Sequence, residues 1–133
     1  DYGRYLVTGE PQDMFAFRTP TLRNTSLTGP WMHNGAFATL ESAVLHHLDA
    51  EGSLTGYTGE ELPSRVRETL RSEQNLNKKI LETLDPLLNS ERTLSSDDLD
   101  QLMAFLRSLT SPSAIDLSHL VPESVPSDHP IWD

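Results

Sequence analysis

Two adjacent histidines, His46 and His47, are the residues of this sequence best suited to metal chemistry. A neutral imidazole is a common ligand for transition metals, and it also occurs in protein cores, where a carbonyl group or water satisfies its nitrogens. Adjacent positions of a helix point about 100° apart, so we do not expect both rings to bind one ion. For His47, these residue types alone leave metal ligation and a structural role open.

The segment that carries these histidines has the pattern of an amphipathic helix. Thr39 can act as the N-cap, and Glu41 would lie in the first turn, where the helix dipole favours an acidic residue. The apolar positions follow the i, i+3, i+4, i+7, i+8 spacing, and they are Leu40, Ala43, Val44, His47 and Leu48. We therefore predict that His47 lies on the apolar face and that His46 points sideways.

The residues before this helix predict a long ordered loop, in which Pro20 and Pro30 restrict the backbone. Its polar residues are Arg18, Arg23, Asn24, His33 and Asn34, and its large apolar residues are Phe17, Leu22, Leu27, Trp31, Met32 and Phe37. This mixture is typical of a loop that lies against a surface that is partly apolar and partly anionic, such as a haem edge with its propionates. The alternative is a loop that closes a small core of its own.

Two motifs resemble the C-terminal part of the bacterial di-haem cytochrome c peroxidase and MauG family. They are FRTPTLRN at residues 17–24 and LTGPWMHNGAFATLESAV at residues 27–44. The segments LMAFLRSLTSP and LVPESVPS look like the end of the same family, especially its MauG-like branch. The resemblance covers nearly the whole chain and is weakest between residues 51 and 90.

The resemblance implies a mainly α, cytochrome c-like helical domain with long ordered loops over residues 1–110, followed by an extended C-terminal tail over residues 111–133. In the family, the helix that begins at Thr-Leu-Glu carries the distal axial ligand of the C-terminal haem, which is Met or Tyr. Because Thr39 starts this motif here, the ligand position falls on His47. The resemblance therefore implies a bis-histidine haem iron, with a lower potential than a Met ligand would give.

Other site residues are also implied by the resemblance. Those expected beside the haem are Arg18, Leu22, Arg23, Trp31 and His33. The family holds a calcium ion between its haems, partly through backbone oxygens, and the matching positions are Thr28 and Pro30. Calcium accepts carbonyl oxygens readily, so the side chains at these two positions carry little information. No catalytic residue is expected in this chain.

The sequence contains no cysteine, so it has no Cys-x-x-Cys-His motif for covalent haem attachment. In the family this motif lies upstream of the segment that reads DYGR at residues 1–4. We therefore expect haem c to be attached upstream of this chain, and the catalytic residues to lie upstream as well. The chain would then be a C-terminal piece that is incomplete without the haem-attachment segment. A protein that has lost its haem attachment is the alternative interpretation.

The formal net charge of −10 argues against nucleic acid or an anionic membrane as partners. No stretch is long and apolar enough to predict a membrane span. The resemblance implies a periplasmic location, and as partners it implies the upstream haem-binding segment and a protein electron donor or protein substrate. The sequence leaves the oligomeric state open.

The function implied by the resemblance is peroxide-dependent oxidation of a redox or protein partner by a di-haem c-type peroxidase or MauG-like oxidase. This chain would supply the distal side of the six-coordinate electron-transfer haem. A competing hypothesis is a haem-free helical subunit with a binding or structural role, which keeps the loop for docking.

The remaining segments give coarser predictions. Residues 1–17 are expected to be extended, with a possible hairpin around Gly9, and residues 49–59 are expected to be a turn-rich connection. Helices are predicted around residues 60–74 and 76–84. The clearest helix begins at Ser95 or Ser96, and its apolar stripe is Leu99, Leu102, Met103, Leu106 and Leu109.

Overall fold

The computed structural model describes residues 1–70, 74–88, 92–122 and 126–127. Within these ranges the chain is mainly helical, as predicted, and its only β interaction is an isolated antiparallel bridge between Trp31 and Phe37. The helices are α1 (Tyr5–Thr8), α2 (Leu40–Leu48), α3 (Ala50–Thr55), α4 (Ser64–Arg67), α5 (Gln74–Glu82) and α6 (Ser96–Ser108). None of them is long and apolar enough to cross a membrane.

Helix α2 begins where the sequence predicts. The side chain of Thr39 accepts a hydrogen bond from the backbone N–H of Ser42 at 3.1 Å, which satisfies one of the donors that a helix leaves free at its start. The helix ends after Leu48, and Asp49 immediately caps α3 by accepting from the N–H of Gly52 at 2.8 Å. The two short helices α2 and α3 are therefore consecutive and pack against each other.

Helix α6 is the longest helix of the described residues, and its start is fixed by a reciprocal capping box. The Ser95 hydroxyl accepts from the N–H of Asp98 at 3.1 Å, while the Asp98 carboxylate accepts from the N–H of Ser95. Met103 and Leu106 on its predicted stripe are buried. The stripe prediction is thus confirmed at its centre.

The loop before α2 is tied to the end of α6. The N–H of Asn24 donates to the carbonyl of Leu109 at 3.1 Å, and the side-chain oxygen of Asn24 accepts from the N–H of Ser111 at 2.8 Å. The hydroxyl groups of Ser26 and Thr110 lie 2.6 Å apart. These bonds give the loop a fixed position on the helical part of the chain.

The described residues bury little apolar surface. The buried apolar side chains are Ala43, Ala50, Met103 and Leu106. The accessible surface of the chain is 10640 Å², whereas the usual scaling for a compact protein of this mass gives roughly 7000 Å². The chain therefore presents extensive surface that its own helices do not cover.

The N-terminal segment differs from the prediction, because it forms a short helix instead of a hairpin. Gly9 ends α1 in the left-handed conformation, with its N–H bonded to the carbonyl of Tyr5 at 2.8 Å. Arg4 forms an ion pair with the buried Asp13, which also accepts a hydrogen bond from Thr8 at 2.8 Å. This polar cluster folds the segment onto itself, and the weak apolar alternation did not indicate it.

Three other predictions need correction or refinement. The turn-rich connection expected at residues 49–59 contains α3, because Asp49 supplies an N-cap. The helix expected around residues 60–74 is a single turn, α4, in the described part of that range. In the tail, 3₁₀ turns at Pro112–Ala114 and Ser118–Leu120 replace a purely extended chain, and residues 123–125 and 128–133 lie outside the described residues.

Candidate functional site

His47 lies in the last turn of α2, and its side chain is exposed. Its Nδ1 atom lies 2.7 Å from the backbone carbonyl oxygen of Ala43. Because a carbonyl can only accept a hydrogen bond, Nδ1 carries a proton, and in the neutral ring this leaves the lone pair on Nε2. His47 was predicted to lie on the apolar face of α2; on that face Ala43 is buried and Leu40, Val44 and Leu48 are half-buried, but His47 itself is exposed.

His46, expected to point sideways, is the more buried of the two histidines. Its Nδ1 lies 2.9 Å from the Ser53 hydroxyl, and its ring is 5.1 Å from the ring of Phe37. Burial lowers the pKa of His46, the nearby His47 lowers it further, and the charge of Asp49 opposes the shift. Helical periodicity did not indicate that His46, and not His47, faces α3 and the loop.

A cleft of about 650 Å³ lies beside His46. Phe37, Tyr57, Glu61 and Arg92 contribute to its walls. The Tyr57 hydroxyl donates a hydrogen bond to the carbonyl of Ala36, at the loop end next to α2. The sequence placed Tyr57 in a connection without an assigned role, so no local signal marked it as a neighbour of the histidines.

Glu61, which lies about twenty residues further along the chain, stabilises the start of α2 through two hydrogen bonds. One carboxylate oxygen accepts from the backbone N–H of Ala38 at 3.2 Å, and the other accepts from the Ser42 hydroxyl. An acidic group is favourable at this end of a helix. The sequence analysis missed Glu61, because a contact across about twenty residues leaves no trace in local spacing.

Trp31 and His33, two loop residues predicted to lie beside the haem, make different contacts within the loop. The Trp31 ring is half-buried, and its Nε1–H donates to the carbonyl of Thr25 at 2.9 Å. The exposed His33 ring stacks on Phe17, with ring centres 3.7 Å apart and planes within 15°. Burial lowers the pKa of His33, and the positive N-terminal amino group adds to the shift.

Gly35 sets the turn that returns this loop to α2. Its φ of +68° favours glycine, and a Cβ at this position would lie 3.0 Å from the Pro30 side chain. The turn allows Phe37 to form both bridge hydrogen bonds with Trp31, at 2.8 and 3.4 Å. Phe37 thereby connects the loop to His46.

The remaining residues expected beside the haem are exposed. These residues are Arg18, Leu22 and Arg23, and Leu22 has 54% of its surface accessible. Within the part of the chain that the structure describes, no hydrogen bond or ring contact joins them to His47. They remain predicted neighbours of a group that the chain does not enclose by itself.

Thr28 and Pro30, the predicted calcium positions, are also exposed. Neither backbone carbonyl accepts a hydrogen bond from another described residue. The described residues contain no group of three or more histidine or acidic side chains that could hold a metal ion. A calcium site here would therefore depend on backbone oxygens and on ligands from elsewhere.

No protein-family model and no solved structure matches the chain, but several curated proteins do. Cytochrome-c peroxidase IdrP1 of Pseudomonas sp. (strain SCT) is 37% identical over 99 residues, which cover 73% of this chain and 26% of that protein. Methylamine utilization protein MauG of Paracoccus denitrificans is 32% identical over 117 residues, which cover 83% of this chain and 27% of MauG. The chain belongs to the bacterial di-haem cytochrome c peroxidase and MauG family.

Membership of the cytochrome c peroxidase and MauG family confirms the resemblance found in the motifs. Cytochrome c551 peroxidase of Nitrosomonas europaea gives a shorter match, 55% identical over 42 residues, which cover 32% of this chain and 13% of that protein. The chain spans about a quarter of the length of IdrP1 and MauG. Activities of these whole proteins therefore do not transfer directly to it.

The residues of this chain fit axial ligation of a haem that is attached elsewhere. An iron ligand needs a free lone pair that another group can reach, and Nε2 of His47 meets both conditions. Metal-bound histidines almost always donate their other ring N–H to a carbonyl or carboxylate, which fixes the ring. The bond from His47 to Ala43 is of this kind.

Proposed function

We propose that this chain supplies the distal side of a six-coordinate c-type haem in a di-haem peroxidase or MauG-like oxidase. In this proposal His47 is the distal axial ligand, and the haem is covalently attached in an upstream segment of the same protein. The observation that carries the proposal is the geometry of His47, whose Nδ1–H is bonded to Ala43 and whose Nε2 is free and exposed.

The extent of uncovered surface supports this assignment. The chain exposes roughly half as much surface again as a compact protein of its mass, and its curated relatives are about four times as long as the matching part. An upstream haem-binding segment would cover part of that surface, on the side that His47 faces.

The bound haem would supply one-electron chemistry, and the chain would set its electronic properties. The His47 imidazole would favour ferric iron over ferrous iron more than a Met thioether does, which lowers the potential. The Ala43 carbonyl holds the ring and strengthens its donor character. Arg18 and Arg23 would stabilise the haem propionates, while Leu22, Trp31 and His33 would line the haem edge.

The proposal includes further elements, which the resemblance to the family suggests. Calcium would bind to the carbonyl oxygens of Thr28 and Pro30, whose carbonyl groups accept no hydrogen bond from other described residues. The protein would act in the periplasm. Hydrogen peroxide would be the oxidant, and a protein electron donor or protein substrate would be the partner, with catalytic residues upstream.

The decisive experiment uses the full-length protein that contains this chain, matured with haem. Optical and electron paramagnetic resonance spectra would be recorded for the wild type and for His47→Ala, His47→Met and His46→Ala, with His119→Ala as a control in an exposed segment. We expect His47→Ala to lose one low-spin ferric species. We expect His47→Met to keep six-coordination and to raise the potential of that haem.

Two results would contradict the proposal. If His46→Ala changed the low-spin species and His47→Ala did not, the axial ligand would be His46 and the assignment of His47 would be wrong. If the correctly matured protein contained no haem, the competing function, a haem-free helical binding or structural subunit, would replace it.

A further inference from the structure

A row of four aromatic rings leads from His47 to the cleft beside α2. The ring centres of His47 and His46 are 5.5 Å apart, those of His46 and Phe37 are 5.1 Å apart, and those of Phe37 and Tyr57 are 5.7 Å apart. Each distance lies within the range of packed aromatic pairs, roughly 4.5–7 Å. The row therefore has no gap between the proposed iron ligand and a residue that lines the cleft.

Tyr57 is the one member of this row whose side chain is readily oxidised by one electron. Its ring packs edge-on against Phe37, and its hydroxyl donates to the carbonyl of Ala36. These two contacts fix the phenol against the loop end that leads into α2. Burial and the charge of Glu61 raise the pKa of Tyr57, so the group at neutral pH is a protonated phenol.

We propose that Tyr57 is a one-electron relay residue, coupled to His47 through His46 and Phe37. This inference rests on the proposed function, because it needs a haem ligated by His47 and hydrogen peroxide as the oxidant. In the step, Tyr57 would lose one electron, which the peroxide-oxidised haem would take up, and its hydroxyl would turn from the Ala36 carbonyl and release its proton to solvent in the cleft. The neutral tyrosine radical would then return to tyrosine by taking one electron from the partner protein and one proton from solvent.

The chain offers two competitors that serve as internal controls. Trp31 is also oxidisable, but its indole N–H is bonded to Thr25. Among the described ring pairs none joins the indole to the row, and Trp31 meets the row through its backbone bridge to Phe37. Tyr5 packs with Tyr2, and Tyr2 packs with Phe15, which forms a separate aromatic cluster near α1. If proximity to His47 through packed rings decides the radical site, Tyr57 is oxidised and these residues are not.

The experiment uses the full-length haem protein, frozen shortly after addition of stoichiometric hydrogen peroxide. Electron paramagnetic resonance spectra would be compared for the wild type, Tyr57→Phe, Trp31→Phe and Tyr5→Phe, each also prepared with ring-deuterated tyrosine. Tyr57→Phe keeps the ring that packs on Phe37 and removes only the hydroxyl. We expect a tyrosine-dependent radical signal that is lost in Tyr57→Phe and retained in the other two variants.

A second variant tests whether electron transfer between Tyr57 and His46 depends on the ring of Phe37. Phe37→Leu retains Tyr57 and removes the ring between it and His46, so we expect the same radical with a lower yield. An undiminished signal in Tyr57→Phe, a signal lost only in Trp31→Phe, or the absence of any tyrosine signal in the wild type would each overturn the relay.

The resting optical spectrum separates failure of the relay from failure of the proposed function. If His47→Ala alters the low-spin haem and Tyr57→Phe keeps the radical, the relay alone is wrong. If His47→Ala leaves the haem spectrum unchanged, the proposed function is wrong and the relay falls with it.

Discussion

Replacing Glu61 with Ala is expected to loosen the first turn of α2, the helix that presents His47. The carboxylate accepts hydrogen bonds from Ala38 and Ser42 at the positive end of the helix. Because Glu61 is exposed, we take low values for two charge-assisted bonds and a dipole interaction, and expect a loss of about 1–2 kcal/mol of local stability.

Hydrogen exchange of the full-length protein measures this loss directly. If the α2 amides exchange by local opening, a loss of about 1.4 kcal/mol makes exchange roughly tenfold faster. Glu61→Gln keeps an acceptor oxygen and loses the charge, so we expect an intermediate rate. Amides of α6, which makes no contact with Glu61 among the described hydrogen bonds, are expected to exchange at the wild-type rate.

Glu60→Ala is the matched control, because Glu60 is an exposed neighbour with the same charge and its described hydrogen bond is made by its backbone carbonyl. If Glu61→Ala and Glu60→Ala gave equal exchange rates in α2, the carboxylate would not hold the helix. The assignment of Glu61 as a support for the His47 helix would then be refuted.

Three further predictions follow from the fold. Ser95→Ala removes the N-cap of α6 and is expected to cost about 1 kcal/mol in a denaturant titration, whereas Ser96→Ala is expected to have a smaller effect. Hydrogen bonds from Arg4 and then Thr8 lower the pKa of Asp13 below its ordinary value of 3.8, so this stabilisation is present above that pH and lost as the pH falls. The destabilisation caused by Asp13→Asn should accordingly disappear in strongly acidic solution, and a pH-independent difference would contradict this origin. Expressed alone and without haem, residues 1–133 are expected to bind a hydrophobic dye and to melt without a cooperative transition, and a sharp calorimetric transition would refute this.

The features that local sequence predicted well are those that depend on a few neighbouring residues. The N-cap of α2 at Thr39 and the start of α6 at Ser95 need only a hydroxyl at the correct position. The stripe of α6 was also predicted, since its centre packs as a regular amphipathic helix. Each of these depends on interactions across one or two helical turns.

The features that sequence analysis missed depend on distant contacts. Which histidine of α2 is exposed is decided by packing against α3 and Phe37, and periodicity cannot choose between two adjacent residues. Glu61 reaches α2 across about twenty residues, a separation over which the spacing of residues carries no information. Asp49 was placed in a turn-rich connection, although an acidic residue after a helix is equally suited to cap the next one.

The link between the loop and the end of α6 also ties the final shape of the loop to a long-range step in folding. Asn24 and Ser26 obtain their partners from Leu109, Thr110 and Ser111, and the bond from Ser111 to Asn24 spans 87 residues. Contacts of such long sequence separation require a costly loop closure before they form. Until α6 docks, the loop lacks the contacts that fix it, so it remains adaptable. If a haem is already in place on an upstream segment, the loop can adjust around it before α6 fixes its final position.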